Sequence, residues 1–262
     1  MEGSKLKEYL SGLPLGPLRY FESVGSTNDL AKDWIEVGAP HFSLVVADEQ
    51  TAGRGRNGRR WFTPAHSSLA FSLVLHLEQL GDFAVSRLSG LGALGVCTAL
   101  QDAYSLEACI KWPNDVLVNG GKLAGVLVET AWSGERPKSA ILGIGINVAP
   151  ESVPPDVDLG FPATSVENAV GKPVERWTLL REVLLKLVLW LEEINSPIFL
   201  QAWEDNLAYQ NKMVRLSQHG QEVYKGRLLG LDSSGAIRLQ GAAGIVMTFQ
   251  AGGLQLRAVD SI

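Results

Sequence analysis

The sequence lacks several features that would settle a function class at once. Only two of its 262 residues are cysteine and four are histidine. Two cysteines, Cys97 and Cys109, cannot make a disulfide framework, and their apolar surroundings fit reduced, buried thiols. His41, His66, His76 and His219 are scattered and have no cysteine partners at metal-site spacing. A basic surplus is also missing: 23 Lys and Arg stand against 28 Asp and Glu, a net charge of −5. The isoelectric point of about 5.5 argues against a non-specific nucleic-acid binder, so local basic clusters must serve something local. No long apolar run exists. The most apolar helix candidate, Trp177 to Ile194, is interrupted by Arg181, Glu182, Lys186 and Glu192 and is unsuited to spanning a bilayer. The opening MEGSKLKEYL has neither the basic start nor the apolar centre of a signal peptide. Internal repeats and low-complexity tracts are absent too. A cytoplasmic, soluble protein is the expectation, with no membrane and no DNA partner.

What is present is an ordinary globular composition, 46% hydrophobic and 19% charged, long enough for one large domain or a large and a small one. Ser26-Thr-Asn-Asp precedes Leu30, Ala31, Trp34 and Ile35 at helical spacing, with Ser26 or Thr27 a natural N-cap. Phe42 to Ala47 is β-rich. Ser68 to Leu77 partly alternates, as a strand with one buried face would. Gly81 to Tyr104 reads as a helix whose small residues permit close approach of a neighbour. Ala108 to Trp112, Val116 to Val118 and Leu123 to Val128 read as strands, and Asn119-Gly-Gly121 supplies the positive-φ residues of a tight hairpin. Ala140 to Val148 is a further strand and Ala149 to Pro162 a loop. Trp177 to Ile194 and Pro197 to Tyr209 are helical. From Lys212 onward short strands alternate with turn signals, which suggests a small all-β module. The boundary is expected near residue 211, giving units 1–211 and 212–262. The fold class is α+β, with a mixed or antiparallel sheet packed against helices.

Two constellations carry chemistry. The stretch TAGRGRNGRRW, Thr51 to Trp61, satisfies the glycine spacing of a dinucleotide fingerprint. That fingerprint requires a helix to start at the glycine turn, so that its N-terminus can bind pyrophosphate. Here Gly58 is followed by Arg59-Arg-Trp-Phe-Thr-Pro64 and then a strand pattern, which excludes the dinucleotide reading. What remains is a glycine loop carrying Arg54, Arg56, Arg59 and Arg60. Its backbone N–H groups and forked guanidiniums suit phosphate or carboxylate. A solvated basic loop is the plain alternative. The second constellation, KWPNDVLVNGGKLAGVLVE, runs from Lys111 to Glu129. It joins a rigid Pro113-Asn114-Asp115 turn to a hairpin bearing Lys122 and Gly125. Read singly, Asn114 and Asp115 could build only an Asx-turn and Lys122 could be solvated. Two charged, glycine-rich turns in one chain, both joined to strands, point to a site.

ADEQTAGRGRNGRRWFTP, KWPNDVLVNGGKLAGVLVE and GIGIN, in this order, resemble the signature segments of the biotin protein ligases, and Ser26-Thr-Asn28 resembles the family's S-T-N segment. The resemblance spans nearly the whole chain. It implies a class II synthetase-like catalytic domain followed by an SH3-like β-barrel. It also implies a two-step reaction, in which biotin and ATP give biotinyl-5′-AMP and the biotinyl group then passes to a lysine of a biotin carboxyl carrier domain. Only about two dozen residues precede Ser26, so the resemblance is to the monofunctional form without an N-terminal DNA-binding domain.

Carried over motif by motif, Ser26, Thr27, Asn28 and Gln50 would hydrogen-bond the ureido ring. Gly53, Arg54, Gly55 and Arg56 would form the loop over biotin and the adenylate, with Arg56 meeting the phosphate. Gly125 would form one wall. Lys122 would bridge the biotin carboxylate and the α-phosphate. Trp61, Asn114 and Asn147 would lie on the ATP side, with Asn147 at the adenine edge. Asp115 would hold Mg²⁺, and it is also the candidate for assisting loss of the acceptor lysine's proton. A homodimer through an edge strand is one assembly the resemblance allows. Two rivals stay open: a lipoate ligase of the same fold, and a non-catalytic protein that only retains biotin or the adenylate.

Overall fold

The computed structural model describes residues 2–81, 84–154 and 161–259. Among the described residues twelve strands and six α-helices follow one another as α1 (Glu2–Tyr9), β1 (Leu18–Val24), α2 (Thr27–Glu36), β2 (Leu44–Gln50), β3 (Ser68–His76), α3 (Ala84–Tyr104), β4 (Ala108–Lys111), β5 (Asp115–Val118), β6 (Gly121–Ser133), β7 (Arg136–Asn147), α4 (Val166–Val170), α5 (Arg176–Glu192), α6 (Pro197–Asp205), β8 (Met213–Gln218), β9 (Gln221–Leu231), β10 (Ile237–Gln240), β11 (Val246–Phe249) and β12 (Gln255–Ala258). The first seven strands form one mixed sheet in the order β1-β2-β3-β7-β6-β5-β4. β1 and β2 pair in parallel and every other neighbouring pair is antiparallel. The last five strands form a second, antiparallel sheet, β11-β10-β9-β8-β12. The class is α+β, as the segment pattern predicts.

The large sheet is covered on both faces. Alternate residues of one strand join different clusters: Val46, Leu73 and Leu142 pack with α3 and α5, whereas Val45, Val74 and Ile141 pack with Ala31 and Trp34 of α2. This corrects the expectation of one buried face for Ser68 to Leu77. All of Ser68 to Leu75 is buried, because a strand in mid-sheet between two helical layers has no solvent face. The small residues of α3 do serve close approach. A Cβ at Gly90 would lie 2.5 Å from the Trp203 ring, at Gly92 2.7 Å from Val126, and at Gly95 2.6 Å from Leu187. The hairpin between β5 and β6 turns on Asn119 (φ 50°) and Gly120 (φ 77°), as its residues predict. Of the predicted loop 149–162, residues 155–160 lie outside the described residues, as does the predicted helical start at 82–83. Among the described residues no helix is long and apolar enough to cross a membrane.

The second sheet packs on the first unit through polar as well as apolar contacts. Trp112 Nε1 donates to the Gly235 carbonyl at 3.0 Å, and Glu204 Oε2 accepts from the Leu231 N–H at 2.6 Å. Val214, Leu216, Leu228, Ile237 and Leu256 belong to the same buried cluster as the α3 leucines. This packing brings the loop before β12 to the mouth of the large sheet, where the glycine loop lies.

Candidate active site

A cavity of about 680 Å³ opens between α2, the glycine loop, the β5–β6 hairpin and the start of β12. Of the residues predicted from sequence, Ser26, Thr27, Asn28, Gln50, Arg54, Gly55, Arg56, Trp61, Asn114, Asp115, Lys122, Gly125 and Asn147 all line it. Segments more than a hundred residues apart in the chain therefore meet at one place.

One end is a floor of neutral hydrogen bonds. Ser26 occupies the N-cap position of α2, but its side chain makes no capping bond. The helix start is tied elsewhere: the Thr27 N–H donates to Gln50 Oε1 at 2.9 Å, and Gln50 Nε2 donates to Thr63 Oγ1 at 3.1 Å. Thr27 and Asn28 are buried, and buried polar groups of this kind are held by mutual bonding. Gly53 departs from the prediction, since it is buried beneath the loop and does not line the cavity. Its carbonyl accepts from the Trp61 N–H at 2.9 Å, and a Cβ there would lie 2.5 Å from the Trp61 carbonyl. Close strand-like closure of the loop, rather than a ligand, explains this glycine.

The glycine loop does not open an α-helix. Arg56–Gly58 forms a single 3-10 turn with Asn57 at φ 58°, consistent with rejection of the dinucleotide reading. The loop is pinned by its own arginines. Arg54 Nη2 donates to Asp29 Oδ1 at 2.7 Å and to Glu129 Oε2 at 2.8 Å. Arg56 Nη1 donates to Asn114 Oδ1 at 2.9 Å, and its Nη2 to the Ala251 carbonyl at 3.0 Å. Burial lowers the Arg56 pKa, opposed by Asp115 and aided by Arg59.

The opposite end is charged. Lys122 Nζ lies 2.7 Å from Asp115 Oδ1 and 5.3 Å from the centroid of the Trp61 ring. Trp61 rests against Gly125 and Gly145, which face each other in register across β6 and β7. A Cβ would come within 3.1 Å of the ring at Gly125 and 2.3 Å at Gly145, so two glycines in apposition make room for the indole. Trp61 Nε1 is buried with no hydrogen-bond partner among the described residues. The predicted adenine-reading Asn147 is buried, and its amide nitrogen donates to the Thr164 carbonyl at 3.0 Å, which ties β7 to the segment before α4.

Sequence reading missed Lys111 and Arg257 as lining residues. Lys111 heads the KWPND segment and was legible as part of it. Its Nζ lies 3.9 Å from the centroid of the Phe161 ring. Burial pulls its pKa down to about 8, with Lys122, Arg257 and Arg59 adding to the fall and Asp115 opposing it. Arg257 comes from β12, and no local pattern marks it. Among the described residues no cluster of three His, Cys, Asp or Glu side chains could hold a metal by itself.

Residues 20–147 match the biotin/lipoate A/B protein ligase family. The chain is 37% identical over 213 residues to the biotin–[acetyl-CoA-carboxylase] ligase of Paracoccus denitrificans, covering 79% of this chain and 88% of that one. It is 33% identical over 239 residues to the bifunctional ligase/repressor BirA of Bacillus spizizenii, covering 89% of this chain and 72% of that one. Among solved structures, the biotin protein ligase of Aquifex aeolicus in complex with biotin and ATP superposes with a TM-score of 0.79 at 29% identity, over 92% of this chain and 99% of that one.

Proposed function

The chain belongs to the biotin protein ligases, and from that premise we propose how its cavity activates biotin with ATP and transfers the biotinyl group to a protein lysine. The observation that carries the reading is the two-ended cavity: neutral, partly buried hydrogen bonds at Thr27 and Gln50, and the cations Arg56, Lys111 and Lys122 at the other end. A cyclic urea on an apolar chain that ends in a carboxylate matches those ends in that order.

In the first step an oxygen of the biotin carboxylate attacks the α-phosphorus of ATP and pyrophosphate leaves, so no base is needed. Two anions must approach, and Lys122 sits where an ammonium can serve both. Arg56 now bonds neutral acceptors, Asn114 Oδ1 and a carbonyl, which a phosphate oxygen outcompetes through the stronger charge-assisted bond. Ser26, Asn28, Gly55 and Gly125 complete the walls, Arg54 holds the loop down, and Trp61, Asn114 and Asn147 flank the nucleotide. Asp115, paired with Lys122, is the carboxylate at the charged end and would hold Mg²⁺, an ion that takes one or two protein carboxylates plus phosphate oxygens and would neutralise charge on ATP when bound. In the second step the acceptor lysine amine attacks the acyl carbon, AMP leaves, and Asp115 is the candidate to take the amine's proton. A biotin carboxyl carrier domain is the acceptor, residues 1–211 form the catalytic unit with 212–262 as its β module, and the protein works in the cytoplasm, as a monomer or as an edge-strand dimer.

The test is incubation with ATP and either biotin or lipoate, reading pyrophosphate release and acceptor-lysine labelling. Biotin alone is expected to give both. Activity with lipoate only would discard the assignment, and pyrophosphate release without labelling would favour a protein that merely retains the adenylate.

A further inference from the structure

The glycine loop is a small hairpin whose tip has no place in the core. The Trp61 N–H donates to the Gly53 carbonyl at 2.9 Å and the Gly55 N–H to the Arg59 carbonyl at 2.7 Å, with Arg54 and Arg60 bridged between them. The tip, Arg56–Gly58, contains no buried residue. It rests instead on the turn before β12. Three successive carbonyls of that turn each accept from a side chain: Ala251 from Arg56 Nη2 at 3.0 Å, Gly252 from Gln218 Nε2 at 3.0 Å, and Gly253 from Asn57 Nδ2 at 3.2 Å. The Leu254 N–H donates back to the Ala251 carbonyl at 2.8 Å and tightens the turn. A Cβ on Gly253 would lie 3.6 Å from Gln218 Nε2 and 3.7 Å from Asn57 Oδ1, so the two amides converge on one place. Gln218 ends β8 and ties the turn to the second sheet. Asn57, at φ 58°, holds the left-handed conformation that asparagine tolerates and turns its amide to the same carbonyls.

We infer that this carbonyl turn is a dock for the tip of the glycine loop, and that Asn57 and Gln218 are positioning residues that act on the reaction through Arg56. Neighbouring residues divide the work. Arg56 gives up the Ala251 carbonyl and Asn114 when a phosphate oxygen takes its guanidinium. Asn57 is neutral and keeps the Gly253 carbonyl, so the tip stays seated while the adjacent side chain changes partners. The second sheet thereby holds a guanidinium of the cavity in place, although Gln218 itself does not line that cavity. The inference rests on the biotin-ligase reading and adds to it the residues that keep Arg56 over the adenylate.

Two single variants of the full chain test the dock. Asn57→Gly accepts the same φ and removes the loop's amide. Gln218→Ala leaves the loop untouched and removes the amide that holds the turn. Each should speed dissociation of biotinyl-5′-AMP about two- to tenfold, the scale of one ordinary hydrogen bond. Each should also speed tryptic cleavage after Arg56 or Arg59 in the ligand-free protein, with the thermal midpoint unchanged. A faster dissociation in Asn57→Gly but a change under about twofold in Gln218→Ala would show only a looser loop backbone and overturn the inference. Cleavage at the parent's rate, or a lowered thermal midpoint in Gln218→Ala, would overturn it as well, the latter being what a merely structural glutamine predicts. In an Arg56→Gly background, Gln218→Ala should shift the dissociation rate by less than about twofold, since the residue through which it acts is gone. A further rise there as large as in the parent would refute action through Arg56. A parent protein that forms no biotinyl-5′-AMP would sink the functional reading instead, and the tryptic rates would then decide the dock by themselves.

Discussion

At the Thr27 end of the cavity the side chains of Thr27, Asn28 and Gln50 are neutral, wholly or partly buried, and held by other protein groups; at the Lys122 end the side chains are charged and bonded to partners they can exchange. Gln50 is held by a backbone N–H and by Thr63, neither of which must move for a ring to dock. Lys122, by contrast, is paired with Asp115, and Arg56 with Asn114 and a carbonyl. The difference follows from charge. A desolvated cation cannot wait unpaired for its substrate, so the fold supplies provisional acceptors, whereas a neutral group can wait in its final geometry. Recognition is therefore expected to be rigid at one end and to require exchange of partners at the other.

The comparison would break first at Lys122. Lys122→Ala is expected to slow adenylate formation by about a thousandfold, the scale of losing a dominant electrostatic contact in a reacting site. Near-normal pyrophosphate release would remove this residue from the catalytic machinery. Next in size, Arg56→Gly should speed loss of biotinyl-5′-AMP by about a hundredfold, as expected for one partner of a charge-assisted contact. An unchanged dissociation rate, followed by fluorescence or filter retention, would contradict the exchange of partners proposed for it. At the rigid end, Gln50→Ala should raise KM for biotin about tenfold with kcat preserved, the signature of lost uniform binding. A fall in kcat would show that the neutral floor also moves in the reaction.

The smallest effect concerns pH and sharpens the charged half alone. With its pKa lowered to about 8, Lys111 is protonated and able to attract ATP below that pH, and neutral above it. KM for ATP should therefore rise severalfold between about pH 7 and pH 9 while KM for biotin stays level. Lys111→Gln should flatten the ATP profile. For stability the sign is opposite: the folded pKa lies below the unfolded one, so this group favours folding more as pH climbs from about 8 toward the ordinary lysine value.

Much of this was readable before any coordinate. Helix α2, the Asn119-Gly120 turn, α3 with its small residues and the alternation of short strands after Lys212 all carried local signals. So did every lining residue that belongs to a signature segment. β1 escaped because Leu18 to Val24 is an edge strand with mixed exposure and no flanking turn chemistry on the α2 side except the site itself. The single buried face expected of β3 was wrong, since alternation cannot report a helix packed on the far side.

The sequence by itself determined which groups could handle anions and where the chain would turn, because glycine φ, arginine geometry and hydrophobic period are local properties. Only the tertiary structure decided that Lys111, Lys122 and Arg56 share one cavity with Thr27 and Gln50, and that a loop before β12 closes it. Those facts depend on strand order and on the packing of the second sheet against the first, and no spacing along the chain encodes the distance between two atoms brought together by a fold.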